Sequence, residues 1–335
     1  MKRWLAATLV LTAASSVGAQ SEPAQEPSPA QEPAEPSAQQ PAAQQSSAQQ
    51  TGPLAMLAAF SRAQLASQGF ERQAAEIAGH EMVWWQKGSG PPMVLIHGVN
   101  DQAGTWVQVA GGPTDRYRVL LPDLPGHGES APFAGPLRMT RVIESFEAWL
   151  EQVAGPDGPP PILVGNSMGA WIALVTAHRQ PTAVARVVAI NGGPLRPDTG
   201  GLNLLPEDRE QARRLMAAVR DQASPAIPDP LLDDLVLRAG SSPARRMFQA
   251  EDDLDSYLLE GRLDEIGTAV DLLWGTSDRY LGEDFAQRLL DGLPRARLTA
   301  IETCGHIPQV ECPGRFAELL ADVLAQAPPG SEQEP

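Results

Sequence analysis

The fold of this chain is decided by one stretch, Ile162-Leu163-Val164-Gly165-Asn166-Ser167-Met168-Gly169-Ala170-Trp171. The apolar run that ends at Gly165 is typical of a buried strand, and a helix-compatible run begins directly after Ser167. Glycines two residues on either side of the serine leave room for a sharp strand-to-helix turn. A chance G-x-S-x-G is common in glycine-rich chains. If the turn forms, it presents the serine hydroxyl at the end of a sheet, beside the free N–H groups of a helix start.

Short apolar runs alternate with helical patterns on both sides of this stretch. A helix is predicted over 141–153, where apolar residues recur on one face, and another over 315–324. The predicted strands are a hairpin over 76–85 that turns at Gly79-His80, then 93–96, 118–121, 186–190, 269–274 and 297–301. Short apolar strands without a polar face indicate an α/β fold, with a mostly parallel sheet covered by helices on both faces.

A long insertion separates the strands 186–190 and 269–274. It has about 80 residues, too many for a simple crossover. Helical patterns occupy 207–220, 231–238 and 244–259. We therefore expect a helical cap, about 194–268, that shapes a substrate pocket and restricts water. A peripheral helical decoration is the alternative.

The first 19 residues are typical of a secretory signal peptide. Lys2 and Arg3 precede an apolar core, and Val17-Gly18-Ala19 fits a cleavage site. The apolar core is short for a bilayer span, although an uncleaved signal anchor is the alternative. The sequence therefore predicts an exported protein, periplasmic or secreted, without stable membrane insertion after cleavage.

Two further segments are predicted to be disordered. Residues 20–53 consist almost wholly of Gln, Ala, Pro, Ser and Glu, with no aliphatic residue larger than alanine, and predict a linker. The tail 328–335 is polar as well. Between them, 54–327 is long enough for one large domain with its own core.

Charge and cysteine content restrict the possible partners. A net charge of −16 argues against nucleic acid as a partner. Cys304 and Cys312 could pair in an oxidising compartment, although their spacing does not require proximity. We find no cluster for a zinc site and no motif for a haem, flavin or nucleotide, so no metal or cofactor is expected. The oligomeric state is not indicated.

A reactive serine needs a base, and the chain has five histidines. His80 lies in the predicted hairpin turn, and His178 lies late in the helix after Ser167. His97 and His127 each precede a glycine in a tight loop, where a ring can brace backbone groups. His306 directly follows the last predicted strand, which favours it as the base.

The base in turn needs a carboxylate, which should follow a strand between the serine and the histidine. Asp278 follows the strand 269–274 through a glycine-containing loop. Asp271 lies at the start of that strand, at the opposite edge, and Glu302 adjoins the last strand. We favour Asp278 over both.

Taken in order, five motifs resemble the α/β-hydrolase fold family: His97-Gly98, the loop 123–130, the elbow 165–169, Asp278 and Gly305-His306. Nucleophile, acid and histidine follow one another in that family's order. The resemblance runs from about 76 to 325. It implies an eight-stranded, mostly parallel sheet with a helical cap insertion.

The resemblance also implies a role for each residue. Ser167 would attack an acyl carbon, His306 would take and return the proton, and Asp278 would hold the imidazole. The backbone N–H groups of Met168 and Val99 would bind the oxyanion.

The motifs also separate members of the superfamily. A serine at the elbow argues against haloalkane dehalogenases and epoxide hydrolases, which carry aspartate there. The elbow is similar to that of the carbon–carbon bond hydrolases of meta-cleavage products. Ala170 and Ile307 depart from that pattern, where glycine and tryptophan are usual, and an export signal does not suit substrates formed inside the cell.

Hydrolysis of a small-molecule carboxylic ester through an acyl-enzyme is therefore the favoured function. A carbon–carbon bond hydrolase, an acyltransferase or a non-catalytic binding protein are the alternatives. Asn100 and Trp106 are substrate-pocket candidates.

Overall fold

The computed structural model describes residues 51–155, 158–250 and 254–330. The predicted signal peptide 1–19 lies outside them, as do nearly all of the linker and most of the tail. The linker's last residue, Pro53, belongs to a helix, so the folded part begins slightly before the predicted boundary at 54.

Eight strands form one sheet in the order β1-β2-β4-β3-β5-β6-β7-β8. The strands are β1 Glu71–Ile77, β2 His80–Lys87, β3 Pro92–Ile96, β4 Arg118–Pro122, β5 Ile162–Asn166, β6 Arg186–Ile190, β7 Val270–Gly275 and β8 Ala296–Ile301. β2 pairs antiparallel with β1 and with β4, and all other pairs are parallel. The mostly parallel sheet predicted from the sequence is confirmed, and the hairpin β1–β2 is longer than predicted.

Helices cover both faces of the sheet. Within the described residues they are α1 Pro53–Ser67, α2 Met139–Ala154, α3 Met168–Arg179, α4 Arg209–Ala218, α5 Asp229–Ala239, α6 Pro243–Phe248, α7 Glu283–Gly292, α8 Pro308–Glu311 and α9 Pro313–Ala325. Side chains alternate along β3: Val94 and Ile96 join the core cluster under α2, α3 and α7, whereas Met93 and Leu95 join the cluster under α1 and α9. Burial on both faces explains why this strand is apolar throughout.

Helix α1 was not predicted, because its sequence lacks a helical apolar stripe. Leu65 is its one buried side chain, and Met56, Leu57 and Phe60 are exposed. The helix begins instead at a tertiary contact, in which Leu54 N–H donates to Asp234 Oδ2 on α5 at 2.8 Å.

The insertion, defined here as residues 191–269 between β6 and β7, contains α4, α5 and α6. α6 ends at Phe248, so among the described residues the helix predicted over 244–259 is wrong after that point. Leu259 is 3% exposed, and its N–H donates to Pro194 O at 2.7 Å. The Leu259 N–H thus bonds to the start of the insertion instead of to a carbonyl one helical turn earlier, as the local pattern predicts.

In the described part of the chain, no helix combines the length and the hydrophobicity that a membrane crossing requires.

Candidate active site

Ser167 occupies the sharp turn between β5 and α3. Its backbone has φ 56° and ψ −117°, a conformation that a non-glycine residue adopts rarely. Gly165 and Gly169 make the turn possible, because a Cβ on Gly165 would run into Gly169 and one on Gly169 into the carbonyl of Ile96. The Ser167 N–H donates to Ile190 O at 2.9 Å, which fixes the turn against β6.

The loop after β3 lies directly against this serine. A Cβ built on Gly98 would be 3.2 Å from the Ser167 Cβ, a tight contact that would require the loop or the serine to shift slightly. Val99 follows Gly98, and Met168 is the first residue of α3, where N–H groups have no intrahelical acceptor. The structure thus places Met168 at the start of the helix directly after Ser167, and Val99 directly after Gly98, which contacts the serine.

His306 and Asp278 meet through a short hydrogen bond. His306 Nδ1 lies 2.6 Å from Asp278 Oδ2, and both side chains are buried. Asp278 Oδ1 accepts the backbone N–H groups of Tyr280 at 2.9 Å and Leu281 at 3.0 Å. The carboxylate is therefore fixed on one side and faces the imidazole with the other.

Asn191 is a site residue that the sequence analysis missed. It follows β6 with φ 42°, and its Nδ2 donates to Asp278 Oδ2 at 2.8 Å. Its Oδ1 accepts the N–H of Gly275 at 2.9 Å. The available signal was a polar residue directly after the buried strand 186–190, whereas Asp278 was selected in the loop that follows the strand 269–274.

Asn166, the residue before the serine, connects the elbow to the histidine. Its Nδ2 donates to His306 O at 2.8 Å, and its Oδ1 accepts from Gln309 Nε2 at 3.1 Å. The backbone at His306 is thereby bonded to Asn166, the residue directly before Ser167. This role of Asn166 could not be predicted from the motif, in which it is one of the two x positions.

The histidines of the tight loops act as braces. His97 Nδ1 bonds to Gly98 O at 2.7 Å, and its Nε2 accepts the N–H of Leu124 at 3.0 Å. Burial lowers the pKa of His97 to about 4 and, together with the neighbouring His97, that of His127 to about 3. Both rings are therefore neutral near pH 7, and His97 joins the Gly98 loop to the loop after β4.

The remaining titratable candidates lie elsewhere. His80 is the first residue of β2, and its ring contacts Ala78 O. His178 pairs with Glu265 at 2.7 Å on the surface. Asp271 is buried early in β7, where Arg186 lies 2.6 Å away, so it is engaged at the opposite edge of the sheet.

The two pocket candidates have different surroundings. Asn100 is exposed, and its Oδ1 accepts the N–H of Ala244 on α6 at 2.9 Å, which ties the Gly98 loop to the insertion. Trp106 is 0% exposed, and its ring centroid is 6.3 Å from that of Phe316 on α9. Trp106 belongs to the core cluster under α1 and α9, whereas Met168 belongs to the other cluster. The structure therefore makes Trp106 a core residue and corrects the expectation that it lines a pocket.

A disulfide joins Cys304 to Cys312. The pairing that the sequence left open thus closes a short loop around His306. Among the residues described, we find no cluster of three or more His, Cys, Asp or Glu side chains that could hold a metal ion.

Comparison with known proteins extends over most of this domain. The sequence profile described as "Alpha/beta hydrolase family" matches residues 93–319. The 2-hydroxy-6-oxononadienedioate/2-hydroxy-6-oxononatrienedioate hydrolase of Cupriavidus pinatubonensis is 29% identical over 271 residues, which cover 69% of this chain and 86% of that protein.

Two solved structures share the architecture. A membrane phospholipase A, described as a novel bacterial virulence factor, superposes with a TM-score of 0.68 and 27% identity over 81% of this chain and 91% of its own. The carboxylesterase CesB of Bacillus subtilis has a TM-score of 0.65 and 17% identity over 81% and 98% of the two chains, a likeness of fold alone. The family profile covers more than half of the chain, from β3 into α9, and the chain therefore belongs to the alpha/beta hydrolase family.

Proposed function

We propose that this protein is a serine hydrolase that cleaves a small-molecule carboxylic ester through an acyl-enzyme. The observation that carries the proposal is the 2.6 Å bond between buried His306 and Asp278, anchored through Asn166 to the turn that holds Ser167. Nucleophile, base and orienting carboxylate are the three groups that acyl transfer needs.

In the proposed first step, the Ser167 Oγ attacks the ester carbonyl carbon while His306 Nε2 takes the hydroxyl proton. Asp278 holds the Nδ1–H tautomer of His306 and stabilises the imidazolium. The N–H groups of Met168 and Val99 bind the oxyanion. His306 then gives its proton to the leaving alkoxide, and the alcohol departs.

In the second step, water attacks the acyl-enzyme. His306 takes a proton from this water and returns it to Ser167 as the carboxylic acid leaves. One ester and one water thus yield one acid and one alcohol, without a metal or cofactor.

We propose that the insertion forms a cap over this site. Its backbone bonds to both loops that carry the acid and the base: Val219 O accepts the N–H of His306, and Ala218 O accepts that of Arg279, each at 2.8 Å. We propose that a segment attached at these points shapes the pocket and limits bulk solvent there, while it still admits the water that the second step consumes.

Two arginines, Arg246 on α6 and Arg279 directly after Asp278, donate to backbone carbonyls, so neither guanidinium is offered as a partner for a substrate carboxylate. Arg246 is buried and donates to carbonyl oxygens of the 126–135 loop. Arg279 donates to the carbonyls of Ala217 and Arg220. Both cations are thus engaged by the chain itself. The name of the relative from Cupriavidus supports the second candidate, a carbon–carbon bond hydrolase, and the name of the phospholipase A supports the first.

Export to an oxidising compartment is part of the proposal. The Cys304–Cys312 disulfide supports it, because such bonds persist in the periplasm or outside the cell and are rare in the cytosol. The signal-peptide pattern in 1–19 agrees with this location.

The test is hydrolysis of p-nitrophenyl esters from acetyl to palmitoyl by the wild type, Ser167→Ala and His306→Ala. We expect kcat to fall by roughly 10⁴ to 10⁶ in both variants. Ser67→Ala, at the end of α1, and His178→Gln on the surface are matched controls that should keep wild-type rates. A loss below about tenfold would refute the assignment of these residues.

A parallel assay separates the alternatives. Turnover of a 2-hydroxy-6-oxo-dienoate without turnover of any ester would favour the carbon–carbon bond hydrolase. If neither substrate reacts and a fluorophosphonate probe fails to label Ser167 in the folded protein, a binding function replaces the enzymatic one.

A further inference from the structure

The loop that carries His306 is attached to the insertion by a carboxylate that the proposed mechanism does not use. Glu311 is the last residue of α8, five residues after His306, and its side chain is only 6% exposed. It turns back so that Oε2 accepts the N–H of Gly305 at 2.5 Å. The residue before the base is therefore held by Glu311.

The other oxygen of the same carboxylate holds the insertion. Glu311 Oε1 accepts the N–H of Asp221 at 2.9 Å and the hydroxyl of Ser224, and Arg220 Nε lies 3.9 Å away. One side chain thus bridges two segments that are about 90 residues apart in sequence. We call residues 219–224 the latch segment.

The latch segment also packs directly on the loop of the base. His306 N–H donates to Val219 O at 2.8 Å. A Cβ on Gly305 would overlap Val219 O and would lie 2.7 Å from both Arg220 Cα and Glu311 Oε2. Any side chain at Gly305 would therefore push the latch segment and the loop apart.

The loop of the acid meets the same segment. Ser277 Oγ donates to Asp221 Oδ2 at 2.5 Å, and this bond lowers the pKa of Asp221. Ser277 directly precedes Asp278. The loop of Asp278 and the loop of His306 are thus both joined to the latch segment. Neither of these bonds involves the Asp278 carboxylate or the His306 imidazole.

We infer that Glu311 is a positioning residue for His306. Glu311 fixes the backbone next to the base to the latch segment of the insertion. Glu311 bonds to the Gly305 N–H rather than to Asp278 or the imidazole, so its effect on His306 passes through Gly305. The expected fall in kcat rests on the proposed function, whereas the bridge between the His306 loop and the latch segment does not.

The chemistry of the bridge explains why a carboxylate is needed. Both Glu311 oxygens accept hydrogen bonds from N–H or O–H donors, and glutamine offers one acceptor oxygen and one NH₂ donor. In Glu311→Gln, the NH₂ group would face either the Gly305 N–H or the Asp221 N–H. The isosteric amide therefore breaks one half of the bridge without changing its volume.

The experiment compares the full-length wild type with Glu311→Gln and with Glu318→Gln, a matched control at an exposed position on α9. Ester turnover is measured per active site titrated with a fluorophosphonate. We expect kcat per site to fall about 10- to 100-fold in Glu311→Gln, because a small displacement of a general base has effects of this size. KM should change less than kcat, and the control should match the wild type.

A merely structural role would give a different result. It would lower the number of titrated sites and Tm but leave kcat per site unchanged, and this outcome would overturn the inference. If Glu311→Gln does not fold, Ser224→Ala removes one partner of the carboxylate, and kcat per site should then fall about threefold. An unchanged kcat in that variant would also overturn it.

Amide hydrogen exchange tests the bridge without any substrate. In Glu311→Gln, peptides covering 304–312 and 217–224 should exchange faster together, while peptides from β5 and β6 keep wild-type rates. Acceleration of only one of the two segments, or of neither, would refute the bridge. If the wild type cleaves no ester but the two segments respond together, the proposed function has failed and the bridge has not.

Discussion

At the scale of single residues, the candidate site depends on side chains outside the proposed triad. Asn191 bridges Asp278 to the backbone of Gly275, and Asn166 bridges the elbow to the carbonyl of His306. Each amide uses its donor and its acceptor at once, in a buried position. Two asparagines therefore fix the distance between strands that carry different members of the site.

Replacement of Asn191 tests this at one position. Asn191→Ala leaves the Gly275 N–H without its acceptor and removes one bond from Asp278, so the unfolding free energy should fall by about 1–3 kcal/mol. Asn191→Asp keeps the acceptor but places a second carboxylate against Asp278, and like charges disfavour ionisation of both. We expect Asn191→Asp to lose more activity at pH 7 than Asn191→Ala, measured as kcat on the best p-nitrophenyl ester. Equal loss in the two variants would contradict an electrostatic role for the residue at this contact.

His97 gives a pH-dependent prediction. Burial lowers its pKa from 6.5 to about 4. Between these two pH values the unfolded chain binds a proton at His97, whereas the folded chain does not. This contribution to stability is complete above pH 6.5 and is lost as the pH falls, by about 2 kcal/mol at pH 5. Burial raises the pKa values of Asp101 and Asp123 to about 6. Their contribution to stability therefore increases as the pH falls below 6, opposite to that of His97.

The His97 effect is therefore measured as a difference between two proteins. His97→Gln retains an oxygen that can accept the Leu124 N–H but cannot titrate. Urea unfolding at pH 7 and pH 5 should show that the wild type loses about 2 kcal/mol more than the variant over this interval. Parallel loss in both would place the titration elsewhere.

At the scale of elements, the sequence predicted what local patterns determine. Apolar runs identified the strands that are buried on both faces, and the G-x-S-x-G spacing identified the turn between β5 and α3. Helix α1 and the end of α6 were missed, because Leu54 and Leu259 make contacts with distant residues that no local pattern encodes.

The candidate site shows the same division. Ser167, Asp278 and His306 could be selected because each follows a strand, and parallel strands end at one edge. The partners Asn166 and Glu311 could not, since their roles depend on which loops meet across the sheet.

The disulfide is an element-scale device for the loop of the base. It joins residues eight apart in sequence, and closing a loop of this length in the unfolded chain is worth about 2.5 kcal/mol. The double variant Cys304→Ser/Cys312→Ser should lower Tm by roughly 5–10 °C. It should also lower kcat, because the loop contains His306.

Reduction of the wild type by dithiothreitol should give the same shift in Tm, and the double variant should not respond to dithiothreitol. A wild-type Tm that is insensitive to full reduction would contradict a stabilising role for this bond.

At the scale of the whole molecule, the insertion is attached to loops from several strands. The latch segment bonds to the loops after β7 and β8, Asn100 after β3 bonds to α6, and α1 bonds to α5 through Asp234. The insertion is thus attached to the rest of the molecule at separate points. Loss of one of these attachments should affect substrate binding as well as stability.

Arg246 makes a further attachment between the insertion and the rest of the molecule, and this attachment can be tested. Its guanidinium donates from α6 to four carbonyl oxygens, those of Gly126, Pro132, Ala134 and Gly135. Burial lowers the pKa of Arg246, and a lysine there would be more easily neutralised and would offer at most three donors. Arg246→Lys should therefore leave buried carbonyls without donors and lower the unfolding free energy by about 2–4 kcal/mol.

The kinetic consequence separates attachment of the insertion from general destabilisation. In Arg246→Lys, α6 should detach from the 126–135 loop, so KM for the best ester should rise about tenfold at a temperature where the variant is fully folded. Arg245→Lys changes the adjacent, exposed residue in the same way and should leave KM and stability unaltered. If KM is unchanged in Arg246→Lys although its stability falls, the substrate does not depend on how α6 is held. In that case the attachment through the latch segment alone shapes the pocket.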